Sequence, residues 1–204
     1  GVLNDAVFLS GQMELSEAAL KDRIIQHPGS SRIFCMGLAS GETASITYSP
    51  PVRAAAINLF QLLGQAPFDF VIVDCDSTPL YDQTTLAALE YAQTGLMALT
   101  PDTKGYEFMK AQMRWLGNSD VFHVEKFIKI ANPVYSHTPV KDAAALFGGF
   151  PYSLPFTPQA AEKMMAGELL SKFNTTSGVM FEQEIERIAN QIEKEADEHG
   201  TADE

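Results

Sequence analysis

The stretch from Phe68 to Ser77 limits the possible fold more than any other part of the sequence. It reads Phe-Asp-Phe-Val-Ile-Val-Asp-Cys-Asp-Ser, an apolar run that ends in Asp74 and Asp76. A short apolar run without polar alternation predicts a strand buried on both faces, which is typical of a parallel sheet. Open α/β sheets bind their ligands at the carboxyl ends of such strands. Asp74 and Asp76 are therefore candidate site residues, and the competing interpretation is a solvated strand end.

Strand and helix patterns alternate along the rest of the chain and predict an α/β fold. The expected fold is a mostly parallel, doubly wound sheet with helices on both faces, forming a single domain over residues 1–192, followed by a solvated acidic tail over 193–204. Strands are expected at Val2–Leu9, Ser31–Gly37, Phe68–Asp74, Gly95–Pro101, Glu125–Ala131 and Phe150–Leu154. Helices are expected from Ser16 to about Gln26, from Ser49-Pro50-Pro51 to a C′ glycine at Gly64, over Tyr81–Tyr91 and Gly105–Leu116, around Ala143–Leu146, after Thr157-Pro158, and over Phe181–Glu195.

The composition is that of a folded protein that does not bind polyanions broadly. Hydrophobic residues make up 46% of the 204 residues and charged residues 20%, and the net charge is −12. This charge argues against DNA or anionic lipid as a general partner. No apolar stretch approaches the ~18 residues that a membrane span needs, so the chain is predicted to be cytoplasmic. Cys35 and Cys75 lie in apolar runs and are predicted to be reduced core residues.

An apolar strand that ends in Asp also has the form of a Walker B strand, whose Asp positions the magnesium of a bound nucleotide. The matching phosphate loop, G-x-x-x-x-G-K-[ST], holds the phosphates with backbone N–H groups and a Lys. No such motif occurs in these residues, and no Lys follows a Gly. Either the natural chain begins further upstream, or the protein has dispensed with the loop.

The order of these landmarks resembles the MinD/ParA superfamily, most closely its pilus-assembly and septum-site members. The resemblance covers about residues 1–192 and rests on short motifs: Asp74-Cys75-Asp76-Ser77-Thr78-Pro79 after a strand, Thr100-Pro101-Asp102 after the next, a strand ending at Asn132, Leu154-Pro155-Phe156-Thr157-Pro158, and then Met165-Ala166-Gly167-Glu168. It implies a Walker-type NTPase fold, here without its amino-terminal phosphate-loop unit.

The resemblance also implies roles for particular residues. Asp74 would be the Walker B acid, Asp74 and Asp76 would face Mg²⁺, and Asn132, Pro155 and Thr157 would surround the adenine of ATP. Intact members use ATP and Mg²⁺ to switch a homodimer that positions pili, plasmids or division machinery. This chain departs from them in its phosphate loop and in the loop after Asp74, so no cofactor is firmly expected for it as it stands.

Three functions remain open from the sequence. The first is a MinD/ParA-like ATPase domain for intracellular positioning, with itself and an unidentified protein as partners. The second is a degenerate member that keeps the fold as a localisation scaffold without hydrolysis. The third is an unrelated α/β protein in which Asp74 and Asp76 hold a metal for phosphoryl-type chemistry.

Other chemistries find little support in the sequence. The four His residues show no metal-ligand spacing with either Cys, and no G-x-S-x-G elbow occurs. Apolar residues near both ends favour either self-association through a surface other than the nucleotide edge or close contact with a segment upstream of Gly1. They are Val2, Phe8, Leu9, Met164, Met165, Leu169 and Leu170.

Overall fold

The computed structural model describes residues 16–37, 53–77, 82–117 and 123–200. The chain forms two compact units, residues 1–92 and 93–204, and each is described by itself. The strand predicted at Val2–Leu9 and the helix start predicted at Ser49-Pro50-Pro51 lie outside the described residues, as do Phe8 and the other amino-terminal apolar residues.

The first unit begins with a short helix, α1 (Glu17–Lys21), whose predicted cap is confirmed. The Ser16 hydroxyl accepts a hydrogen bond from the backbone N–H of Ala19 at 3.2 Å, which satisfies one of the unpaired donors of the first turn. The helix is shorter than predicted, because Ile25–Gln26 forms β1 instead of its last turn. That strand pairs antiparallel with β2 (Phe34–Cys35).

Two helices, α2 (Arg53–Gln65) and α3 (Gln83–Tyr91), carry most of the core of the first unit. Their contact is built from small side chains and a few large ones: Ala55, Ala56, Leu59, Phe60 and Leu63 on α2, and Ala87 and Ala88 on α3. The Arg53 guanidinium pairs with the Glu90 carboxylate and joins the two helices at their surface. Gly64 lies within α2, so its predicted role as the C′ residue is wrong.

The segment from Phe68 to Asp74, predicted as a strand buried on both faces, is not a strand in the structure. Residues 70–76 have no regular secondary structure, and the side chain of Ile72 is 91% exposed. A strand requires a paired backbone as well as apolar side chains. No described residue forms a β-ladder with this segment. The segment therefore has the apolar side chains of a strand but lacks the backbone pairing. Asp74 therefore does not end a central parallel strand here.

The second unit is built on a three-stranded parallel sheet. Its strands are β3 (Gly95–Leu99), β4 (Phe127–Val134) and β5 (Tyr152–Pro155), in the order β3-β4-β5. Helices α4 (Thr103–Leu116) and α5 (Val140–Phe147) connect them, and α6 (Pro158–Met165) and α7 (Thr176–Gly200) follow. Strand–helix–strand units of this kind produce parallel pairing. The predicted α/β class is confirmed at this level.

Apolar side chains cover both faces of the sheet. On one face, Leu99 packs with Ala143 and Phe147 of α5, and Tyr106 and Met109 of α4 lie against them. On the other face, Ile130 and Leu154 pack with Ile188 of α7. Alternate residues of a strand point to opposite faces, so Lys129 and Ala131 share the α5 face while Ile128 and Ile130 face α7.

Two glycines of the second unit are required by their surroundings. Gly95 pairs with Phe127 across the β3–β4 ladder, and a Cβ at Gly95 would lie 2.4 Å from the Phe127 ring. Gly148 ends α5 with φ of +73°, a left-handed conformation that glycine adopts without steric cost.

The last helix, α7, continues through much of the predicted acidic tail. It extends to Gly200, so the helix does not end at Glu195 as predicted. Met164 and Met165 at the end of α6 are 67% and 91% exposed, and Leu169 and Leu170 are also exposed, which agrees with the predicted apolar surface. Self-association through it stays a prediction.

Phe147 should be the most sensitive core position of the second unit. Its ring is 2% exposed and lies 5.5 Å from the ring of Tyr106 and 4.8 Å from that of Phe150, centroid to centroid. We expect Phe147→Ala to lower the free energy of unfolding by about 3–5 kcal/mol, since it removes buried surface and leaves a cavity. Urea denaturation followed by far-UV circular dichroism measures the change.

The neighbouring Leu146 provides the matched control, because it lies on the same helix and is 52% exposed. We expect Leu146→Ala to change stability by no more than about 0.5 kcal/mol. Equal losses in the two variants would contradict the placement of α5 on the sheet.

Candidate functional site

The carboxyl ends of β4 and β5 form the edge where the sequence predicts a ligand. Val134 and Pro155, which end these two strands, are paired across the ladder. The Phe156 N–H then donates to the Val134 carbonyl at 2.7 Å, so the two chain segments leave the sheet side by side. This is the position at which parallel α/β sheets hold ligands.

Three sequence-predicted residues, Asn132, Pro155 and Thr157, belong to these segments. Asn132 lies within β4, half-buried, and its bond to Pro133 is cis. The β4–β5 register is irregular between Ala131 and Val134, where Pro133 has no N–H to donate. Pro155 is half-buried at the end of β5, and Thr157 is 4% exposed at the start of α6.

A stack of three exposed rings stands at the same edge. The Tyr135 ring lies 4.8 Å from the Phe156 ring at an interplanar angle of 34°. His137, two residues after Tyr135 on the segment that follows β4, lies 5.7 Å from Tyr135 with an interplanar angle of 19°. Thr138 fixes the turn that carries two of these rings, because its hydroxyl accepts from the Tyr135 N–H at 3.0 Å. Such a stack offers flat faces to a planar ligand.

Thr157, the residue after Phe156, has a hydroxyl without a hydrogen-bond partner in the described part of the chain. It precedes Pro158, the first residue of α6, and makes no capping hydrogen bond. Its Oγ1 is buried without a hydrogen-bond partner among the described residues. Because a buried polar atom without a partner is costly, this hydroxyl has unused capacity for a ligand or a water molecule.

The other two predicted residues, Asp74 and Asp76, lie in the first unit. They follow the exposed segment 69–73, and the Asp76 N–H donates to the Thr85 hydroxyl at 3.1 Å. Thr85 in turn donates to the Asp82 carboxylate at 2.6 Å, and Asp82 caps α3 by accepting from the N–H groups of Thr84 and Thr85. The start of α3 thereby fixes the acidic segment.

The segment Asp74–Asp76 has the oxygen ligands that a hard cation prefers, although it provides only two carboxylates. Asp74 and Asp76 provide carboxylate oxygens, which Mg²⁺ prefers, and Mg²⁺ often takes only one or two carboxylates with water and phosphate oxygens. Among the described residues, no group of three or more His, Cys, Asp or Glu side chains is placed to hold a metal ion. The metal role of Asp74 and Asp76 stays a prediction.

Cys75 lies between these two acids and is exposed, as is Cys35, so the prediction that both are core residues is wrong. Their apolar neighbours in sequence do not form buried strands at these positions. Partial desolvation of its thiol raises the pKa of Cys75, and the negative charges of Asp74 and Asp82 raise it further, while a hydrogen bond with Thr85 lowers it. Cys75 is therefore held in its neutral form rather than activated as a nucleophile.

Comparisons with known proteins assign no family to the chain. No protein-family model, no curated protein and no solved structure matches it.

Within the ranges that the structure describes, no helix is both long enough and apolar enough to cross a bilayer.

Sequence reasoning missed the ring stack, although part of its signal was visible. Phe156 lies inside the Leu154–Pro158 motif, and Tyr135 and His137 closely follow the strand that ends the predicted site. Aromatic residues just past two neighbouring parallel strands indicate a shared surface. Their stacking depends on the turn at Thr138, which no sequence pattern predicts.

The raised pKa of Cys75 predicts slow alkylation of its thiol. In a Cys35→Ser background, we expect Cys75 to react with iodoacetamide more slowly than a cysteine peptide at mildly alkaline pH, because less of it is thiolate. Asp74→Asn should speed the reaction, since removing a negative charge lowers the thiol pKa. Mass spectrometry over a pH series measures both rates.

Asp69→Asn is the matched control, because it removes a carboxylate that does not raise the Cys75 pKa. Both substitutions should leave stability within about 0.5 kcal/mol, as expected for exposed side chains. An unchanged rate in Asp74→Asn would contradict the electrostatic argument, and a stability loss of about 3 kcal/mol would indicate a structural salt bridge at Asp74.

Proposed function

We propose that the chain is a MinD/ParA-like domain for intracellular positioning or partitioning, and that the carboxyl edge of its parallel sheet receives the base of a nucleotide. The ring stack of Tyr135, Phe156 and His137 at the ends of β4 and β5 is the observation that carries the proposal. The predicted adenine residues Asn132, Pro155 and Thr157 belong to the same two segments.

The chemistry of the edge supports a planar, polar ligand. Base–aromatic stacking contributes about 1–3 kcal/mol for each base, and an exposed ring offers that face. Tyr135 is 42% and Phe156 46% exposed, so both rings are accessible. Thr157, on the same segment as Phe156, has a buried hydroxyl without a hydrogen-bond partner among the described residues.

The phosphates of a nucleotide find less support in these residues. ATP brings about four negative charges, and the 204 residues contain no phosphate-loop motif to offset them. In this proposal the base and sugar supply the affinity, which stays in the millimolar range at best. Mg²⁺ held by Asp74 and Asp76 is a proposal for the first unit alone, and no hydrolytic step is assigned to the chain's own residues.

The second candidate is a degenerate member of the same superfamily that acts as a localisation scaffold. The lack of a phosphate-loop motif in these 204 residues favours it. The exposed segment 70–73 favours it too, since this segment does not form the predicted Walker B strand. Both candidates share a cytoplasmic location and a homodimer as proposals, with the exposed surface of Met164 and Met165 as a contact. They differ in whether nucleotide binding is needed for the protein's positioning.

Adenosine titration tests the base site directly. We expect weak, saturable binding with a millimolar Kd, followed by NMR, and we expect Tyr135→Ala to weaken it at least about fivefold, since the loss of one stacking face is worth about 1–3 kcal/mol. Tyr91→Ala is the matched control, because Tyr91 is similarly exposed at 46% but lies on α3.

Equal affinities in the Tyr135→Ala and Tyr91→Ala variants would reject the base site. ATP calorimetry measures what the phosphates add to binding. We expect neither micromolar ATP binding nor measurable ATP hydrolysis, and micromolar binding would show that residues outside a phosphate-loop motif hold the phosphates.

A further inference from the structure

A groove at the opposite, amino-terminal edge of the same sheet has no role in the base site. It has a volume of about 460 Å³, which lies within the usual range of small-ligand sites. The start of β4, the glycine loop after α5 and one face of α7 line it. Its lining includes Lys129, Gly148, Gly149, Gln191 and Glu195.

Among the residues that the structure describes, Lys129 is the one lysine or arginine that lines the groove, and it forms no salt bridge there. Its ammonium donates to the Phe147 carbonyl, the last residue of α5, at 2.6 Å. An ammonium has three N–H donors, so this contact leaves two of them unused. No carboxylate of the described residues lies within salt-bridge distance of Lys129, although the chain as a whole is strongly acidic.

The carboxylate in the groove is already satisfied by neutral donors. One oxygen of Glu195 accepts from the Gln191 amide at 2.8 Å, and the other accepts from the Thr94 hydroxyl at 3.0 Å. Glu195 therefore fixes the Gln191 side chain, and it forms no salt bridge with Lys129. The groove combines an oriented amide with a half-buried ammonium that has no carboxylate partner among the described residues.

The glycine loop leaves room beside this cation. A Cβ at Gly148 would lie 3.6 Å from Lys129 Nζ, and a Cβ at Gly149 would meet no atom within 4 Å. Both glycines have positive φ, so larger residues are disfavoured there and the space beside the ammonium stays open. A ligand oxygen can reach the ammonium from this side.

We propose that this groove binds a small anion bearing a carboxylate or a phosphate group, with Lys129 as the charged contact. A charge-assisted hydrogen bond to a ligand is stronger than a neutral one, and it also offsets the cost of holding a half-buried ammonium without a counter-charge. The net charge of −12 disfavours non-specific anion binding, so saturable binding has to be local. The site does not depend on the base site proposed above.

Titration with inorganic phosphate and, separately, with succinate tests the proposal. Backbone amide shifts in NMR report binding, and Gly148 and Gly149 should be among the residues that shift. We expect Lys129→Met to weaken binding at least about tenfold, since it removes a charged hydrogen bond worth about 1.5–3 kcal/mol. Lys141→Met, at an exposed position of α5 outside the groove, changes net charge equally and should alter affinity less than about twofold.

A second variant keeps the test decisive if Lys129→Met does not fold. Glu195→Gln retains hydrogen-bonding groups for Thr94 and Gln191 but removes the negative charge from the groove, so we expect it to strengthen anion binding. Binding of phosphate alone assigns a phosphate ligand, and binding of succinate alone assigns a carboxylate.

Three outcomes would overturn the proposal. They are a lack of saturable binding of either anion at tens of millimolar, equal weakening in the Lys129 and Lys141 variants, and unchanged or weaker binding in Glu195→Gln. Failure of the adenosine experiment leaves this result unaffected, because the two sites use different residues and different probes.

Discussion

The parallel ladder that places β4 between β3 and β5 is the constraint on which the second unit depends. Strand β4 pairs with β3 along Phe127–Ala131 and with β5 from Ile130 to Val134, so it has a partner strand on each side. Its side chains then have to serve both faces, with Ile130 toward α7 and Ala131 toward the α4 and α5 face. Any slip of one residue would exchange these faces and place Lys129 in the α7 core.

The same ladder explains why the two proposed binding surfaces lie at opposite edges of one small sheet. Parallel strands begin at one edge and end at the other, and each connecting helix returns the chain across a face. The edge where strands end gathers the residues just after β4 and β5, including Tyr135 and Phe156. The edge where strands begin gathers Lys129 and the glycine loop. The first edge therefore presents aromatic rings, and the second presents an ammonium group.

The sequence predicted the elements of the second unit well and those of the first unit less well. The strands at 95–99 and 127–134 and the helix start at Thr157-Pro158 were visible because periodicity, Pro and Gly act locally. The run 68–74 has as strong a local pattern, yet pairing depends on a partner elsewhere in the chain, and the pattern does not contain that information. Cys75 was misplaced for the same reason, since its burial was inferred from the strand.

The candidate site was predictable only in part. Asn132, Pro155 and Thr157 were chosen by resemblance, and the topology of β4 and β5 does bring their segments to one edge. The ring stack and the unpaired ammonium of Lys129 depend on side-chain placement across 18 or more residues of chain. Such placement follows from packing and not from spacing.

The close approach of Phe127 to Gly95 has a consequence for how this sheet can vary in evolution. The ring lies over the glycine so closely that a methyl group at position 95 would overlap it, and Phe127 also forms part of the groove wall. A larger residue at position 95 is therefore compatible with the fold only when a smaller residue replaces Phe127. In relatives that keep this ladder, positions 95 and 127 should covary, and the shape of the groove should change with the pair.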